Sequence, residues 1–355
     1  QLTVAPDGFG IDLPGASLPL APLVRSLPHP AARLGWTPDD LRHIAGPHII
    51  PYLHAARLMV SAAAEAPVAA AWQRQCPALS RRGRQLPSPE DSAHVLSRLN
   101  GLPRASCATS LTDLSALRGR TADGLSDEQH RARQRITGLL KKAESTTFEA
   151  EAETLIAKAQ QLRQRYRIES VQEEATPGNT VAVRVHLEAP WVRHQYLLLG
   201  HVAGANSTRA LLYPDVSIAT VVGHPDDVLH AIDLFHSLNR QRAYFMHHSP
   251  GAVTARAHGE TKAYRRSFLI AYARRIGTLL AEATEETVVT EDERGAALPV
   301  LARREVAAEE AFTALFPHTS SMSFRHSYHA GGAVDGIAAA ERSHLGPDMT
   351  AVGSA

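Results

Sequence analysis

The feature that most restricts the fold of this chain is a change of hydrophobic period near residue 175. Upstream, Ser126 with Gln129 and Thr146 with Glu149 each pair a hydroxyl at a helix start with an acceptor three residues on, the reciprocal pattern of a capping box. Ile136, Leu139, Leu140 and Ala143 then share one face of a first helix. Ala152, Leu155, Ile156, Ala159, Leu162 and Tyr166 share one face of a second. Joined only through Glu144-Ser145-Thr146, the two are predicted to fold back as an antiparallel helical hairpin within 120–170. Residues 171–179 read as a linker. Beyond it the apolar residues alternate: Val181, Val183, Val185 and Leu187 point one way and Ala182, Arg184 and His186 the other, the pattern of a half-buried strand.

Turn and cap signals extend this frame in both directions. Residues 208–213 and 216–222, split by Pro214-Asp215, predict a strand pair, and Gly223-His224-Pro225 opens a helix to about His247. A helix over 263–284 carries Phe268, Tyr272, Ile276 and Leu279 on one face, the acidic stretch after it reads as a solvated loop, and 298–343 as a short strand with two helical segments. Before the hairpin, Thr37-Pro38-Asp39-Asp40 and Ser88-Pro89-Glu90-Asp91 each place an N-cap before a proline and first-turn acids, with Gly46-Pro47 and Gly101 as stops. Another helix is expected from Ile50 to Ala66. The fold class is α+β: a Pro-rich arm (1–30), an Ala-rich helical domain (31–119), the hairpin (120–170), the linker, an α+β domain with a small, mainly antiparallel sheet (180–345), and a tail (346–355).

Charge and cysteine usage limit the functional classes. Lys plus Arg (37) against Asp plus Glu (36) leaves a formal net charge of +1, so no global field draws the chain to nucleic acid or to an anionic membrane, and any charge-driven binding is local. Cys76 and Cys107 are the two cysteines and have no metal-ligand or redox spacing, which argues against a disulfide scaffold and for a reducing cytoplasm. The most apolar stretch, 55–72, contains Arg57, Glu65 and Pro67 and is too interrupted to span a membrane; the start of the chain has no signal-peptide pattern. Lysine occurs at four positions only, the remaining basic residues being Arg, as expected of a GC-rich genome.

The run from Ile136 to Ile168 resembles the bacterial and phage domain of unknown function numbered 2786. The resemblance is carried by Leu139, Leu140, Lys142 and Ala143, by the turn Ser145-Thr146-Thr147, by Glu149, Ala150, Glu151 and Ala152, and by Lys158, Ala159, Tyr166 and Ile168. Val221-Val222-Gly223, residues 234–238 and Tyr264-Arg265-Arg266-Ser267-Phe268 resemble the domain that commonly follows this hairpin, and residues 35–41 the helical prefix of actinobacterial members. The resemblance implies an architecture and no activity.

Two basic clusters are the candidate binding residues. Between His130 and Ile168 there are nine basic residues against four acids, and the acids sit at the turn. The open end therefore concentrates Arg131, Arg135, Arg163 and Arg167, with Lys142 and Lys158 further along, as a surface able to hold the phosphates of nucleic acid. The bland alternative is a solvated face with bases near a helix C-terminus. Lys262, Arg265 and Arg266 form a second cluster at a helix start, where positive charge opposes the macrodipole and needs an anion or nearby acids such as Asp226, Asp227 or Glu291.

Other constellations are weaker. His224, Asp226, Asp227, His230 and His236 lack the convergence a metal demands, and no metal or cofactor is expected. His326, His329 and Asp335 bracket a glycine turn, Ala330-Gly331-Gly332, that could offer amides to an anion. No nucleophile elbow, zinc-protease helix, P-loop or dinucleotide fingerprint is present. The expectation is an interaction protein binding nucleic acid. The alternatives are a metal-dependent hydrolase using His, Asp and Arg of the last domain, and a structural subunit whose arm docks on a protein partner or on a second copy.

Overall fold

The computed structural model describes residues 3–4, 28–60, 64–79, 88–105, 107, 110–123, 135, 180–286, 291–324 and 328–343. A short strand β1 (Thr3–Val4) precedes helices α1 (Pro28–Arg33), α2 (Pro38–Ala45), α3 (Ile50–Val60), α4 (Ala66–Ala78), α5 (Pro89–Leu99) and α6 (Leu114–Asp123). Then follow β2 (Val181–His186), α7 (Val192–Ala205), β3 (Arg209–Tyr213), β4 (Ile218–Gly223), α8 (Pro225–His248), α9 (Pro250–Ala257), α10 (Thr261–Glu286), α11 (Glu291–Leu315), β5 (Ser320–Ser321) and α12 (Ala330–Glu341). The chain is α+β, mainly helical, around one sheet of order β2-β4-β3-β1-β5. β4 lies antiparallel between β2 and β3, with Val183 opposite Val221 and Leu211 opposite Thr220; β1 joins β3 in parallel and β5 antiparallel.

Local chemistry explains the helix starts. Thr37 and Ser88 both form complete capping boxes, each with an aspartate three residues on and a proline at the first helical position. α8 begins at Pro225 after His224, carries Asp226 and Asp227 in its first turn, and ends on His247 and His248, where the His248 ring bonds the Tyr244 carbonyl at 2.8 Å.

The alternation of the strands feeds two cores, one on each face. Val181, Val183, Val185, Leu212, Ala219 and Val221 pack with Tyr196, Leu198, Phe235, Phe268, Tyr272 and Ile276 from the C-terminal helices. Ala182, Leu211, Tyr213, Ile218 and Val222 pack with Trp36, Leu41, Leu53 and Trp72 from the N-terminal helices and with Phe312 and Phe316 of α11. The expected open face of β2 is therefore covered. Arg184 lies 4.8 Å over the Trp36 ring, ion-paired to Asp40, and both side chains are almost fully buried. Covering that face with helices turns a half-wet sheet into a middle layer.

Several local expectations change. The acidic stretch is mostly helix, α10 running to Glu286 and α11 starting at Glu291. The helix begun at Ile50 ends at Val60, and α4 is separate. Within the expected arm, Thr3–Val4 is a sheet strand. Ala330-Gly331-Gly332 is the first turn of α12, whose Gly332 amide is accepted by the His329 ring at 3.0 Å, so that amide is not open to an anion. The glycines serve packing instead. A Cβ on Gly332 would lie 2.4 Å from the Tyr264 carbonyl oxygen, and one on Gly336 2.4 Å from that of Phe268, so α12 rests directly on the backbone of α10.

Candidate anion-binding cleft

A cleft of about 520 Å³ lies between the start of α7, residues 190–194, and the start of α10, where Thr261, Lys262, Arg265 and Arg266 line it. Lys262, Arg265 and Arg266 lie on one side of α10 because positions 262, 265 and 266 are one helical turn apart. Neither helix has an acid in its first turn. Two helix N-termini thus direct partial positive charge at a space that four basic side chains, Arg193 included, already make cationic. Lys262 and Arg193 are exposed, Arg265 and Arg266 half-buried.

None of these four has a carboxylate within ion-pair distance among the described residues. Of the acids expected nearby, Asp227 pairs with Arg304 at 3.3 Å; Glu260, which the sequence did not single out and which lies just before α10, faces His329 at 3.3 Å. Arg193 turns toward the Ser323 carbonyl, the Met322 sulfur and the Phe324 ring, none of which cancels its charge. The surplus is felt next door: burial first, then Arg265, hold His247 below the usual histidine range.

Of the sequence candidates, this places Lys262, Arg265 and Arg266 together in one concavity. Arg131, Lys142, Lys158, Arg163 and Arg167 lie outside the described residues; Arg135 is helical and exposed. Trp191, Arg193 and His194 are additions. Their helix starts without a side-chain cap, and Tyr196-Leu197-Leu198-Leu199 is apolar on every side, so neither a cap nor a periodic stripe marks it. The one signal for the cleft was uncompensated positive charge at the start of α10.

Two other polar groupings are closed. Asp40 accepts from the Thr37 amide (3.0 Å) and hydroxyl (2.7 Å), from Arg184 and, at 2.9 Å, the His186 ring, which stacks on His43 at 4.6 Å. Its acceptor sites are used, and the cluster joins the N-terminal helices to β2. Among the described residues, no group of three or more His, Cys, Asp or Glu is placed to hold a metal ion. His236, half-buried beside Arg240 and Arg118, is held below the usual range by burial first and then by those cations, the opposite of a ligand primed by a carboxylate.

Residues 131–170 match the family model described as "Protein of unknown function (DUF2786)". No curated protein and no solved structure matches the chain. No helix, among the described residues, is long and apolar enough to cross a membrane.

Proposed function

We propose that this chain is a non-enzymatic interaction protein of the bacterial cytoplasm, or of a phage acting there, that binds nucleic acid through basic side chains of the matched segment 131–170 and of the α7–α10 cleft. The observation that carries the reading is the set Arg193, Lys262, Arg265 and Arg266, gathered around one cleft without a described carboxylate partner. Four cations crowded at helix N-termini repel one another and the macrodipoles, so the arrangement gains most from a polyanion. With a net charge near zero, attraction to a polyanion is local and rests on such basic surfaces. Two buried free thiols fit a reducing compartment.

Phosphate contact has a quantitative signature. Each neutralised phosphate releases counterions, so four contacts give a slope of log K against log salt of about −3 on single strands. Binding of mixed-sequence DNA and RNA, titrated over salt, tests this. Replacing any one of the four by alanine is expected to flatten the slope by about 0.7–0.9, and no binding at low salt refutes the proposal.

A further inference from the structure

We propose that the cleft receives an unpaired nucleotide of a single strand, its base against the Trp191 indole and its phosphates on Lys262, Arg265, Arg266 and Arg193. This rests on the nucleic-acid reading and adds which form of the polymer is taken. Three observations carry it.

The cleft, about 520 Å³, has the size of a small-molecule site. A duplex is held differently, on broad faces that bury roughly 1,000–2,500 Å², and its paired bases are unavailable to a cleft wall.

Trp191 differs from the other two tryptophans. Trp36 and Trp72 are fully buried and donate their indole N–H to the carbonyls of Pro103 (2.8 Å) and Trp36 (3.0 Å). Trp191 is only partly buried and stands in the cleft wall as the N-cap of α7, a position where its side chain makes no capping bond. A broad aromatic face without a capping role suits a base, since every base has a π-face.

Aromatic and cationic groups interleave along this wall. The His194 ring meets the indole edge-on at 5.3 Å and reaches the Phe324 ring at 5.5 Å, over which the Arg193 guanidinium lies at 5.9 Å. Opposite stand Lys262, Arg265 and Arg266, where a backbone phosphate flanking the stacked base would be met by charge and by the amide end of α10.

Because the other two indoles are sealed, acrylamide quenching of tryptophan fluorescence reports Trp191. The full chain is titrated with a short single-stranded oligonucleotide, with the same strand carrying abasic sites, with its duplex, and with the free mononucleotide. The single strand is expected to shield Trp191 from acrylamide and to bind roughly 10-fold or more tighter than the abasic strand. Trp191→Leu should erase that difference while leaving the salt slope unchanged, and Trp191→Phe should keep most of it. Equal binding of base-bearing strand, abasic strand and duplex, with Trp191 still open to quencher, overturns the stacking inference and leaves the nucleic-acid reading standing. A mononucleotide that matches the oligonucleotide overturns the strand assignment. Failure of every polymer to bind removes the broader reading and this one with it.

Discussion

Gly336→Ala is the substitution whose cost the structure fixes best. A Cβ at this position would stand 2.4 Å from the Phe268 carbonyl oxygen and 3.1 Å from the Ala271 Cβ. A carbon and a carbonyl oxygen in close contact rest about 3.3–3.6 Å apart, so α12 must lift from α10 by roughly 1 Å at the crossing. Backbone atoms form the obstacle, and no side chain can swing aside. Such overpacking costs about 1–3 kcal/mol, against which alanine recovers about 0.5–1 kcal/mol of helix propensity over glycine. We expect a net loss of about 1–2 kcal/mol, read as a lower urea midpoint at unchanged m-value. Gly332→Ala, facing the Tyr264 carbonyl one turn earlier, should cost a similar amount, and the double variant less than the sum, because one separation of the helices relieves both contacts. Gly119→Ala in α6, with nothing within 4 Å of its new Cβ, should be neutral or stabilising. A Gly336→Ala protein as stable as its parent would refute the close-crossing argument.

Other outcomes follow from buried charge. Arg242 is buried, its Nε and Nη1 lack hydrogen-bond partners, and burial pulls its pKa down to about 10, so Arg242→Met is expected to stabilise the chain, read as a higher urea midpoint, by relieving the desolvation of an unpaired charge; a lower midpoint would refute that reading. Arg184→Met should cost about 3–5 kcal/mol by stranding Asp40, again in urea. Burial alone would raise the Asp40 carboxyl, but Arg184, His186 and Thr37 outweigh it and hold it far below the carboxylate range. A depressed folded value means that the stabilisation is complete above about pH 5 and is lost as pH falls through 4 and below, so Asp40→Asn should flatten the acid limb of the stability profile. Cys76, whose thiol burial pushes up to about 11, and the buried Cys107 should resist Ellman's reagent in the folded protein and react together on unfolding.

What the sequence disclosed and what it hid divide along physical lines. Signals that live within a few residues were legible: the N-caps at Thr37 and Ser88, the β3–β4 pair around Pro214, and the launch of α8 at Pro225. They depend on local hydrogen bonds and φ preferences. α7 was hidden because Tyr196-Leu197-Leu198-Leu199 erases the amphipathic period and its N-cap is a tryptophan. Gly331-Gly332 looked like a turn because glycine permits one, whereas here it permits contact with α10. Arg184 and His186 read as solvent-facing, since nothing in β2 itself reveals that α2 brings Asp40 to meet them from 144 positions away. The cleft was half legible: unbalanced charge marked Lys262, Arg265 and Arg266, but their juxtaposition with Trp191 is tertiary.

The register of the sheet also sets an order of assembly on the ribosome. β2, β3 and β4 can pair once a run of about forty residues has emerged, but β1 must wait for Leu211–Leu212, and its far side waits for Ser320–Ser321, some three hundred residues later. Until then the far rim of β1 presents unpaired amides and carbonyls. A nascent chain paused there could add a strand from a neighbouring polypeptide; Thr3–Val4, already made when β3 emerges, covers the β3 rim during synthesis, and Ser320–Ser321 closes the sheet last.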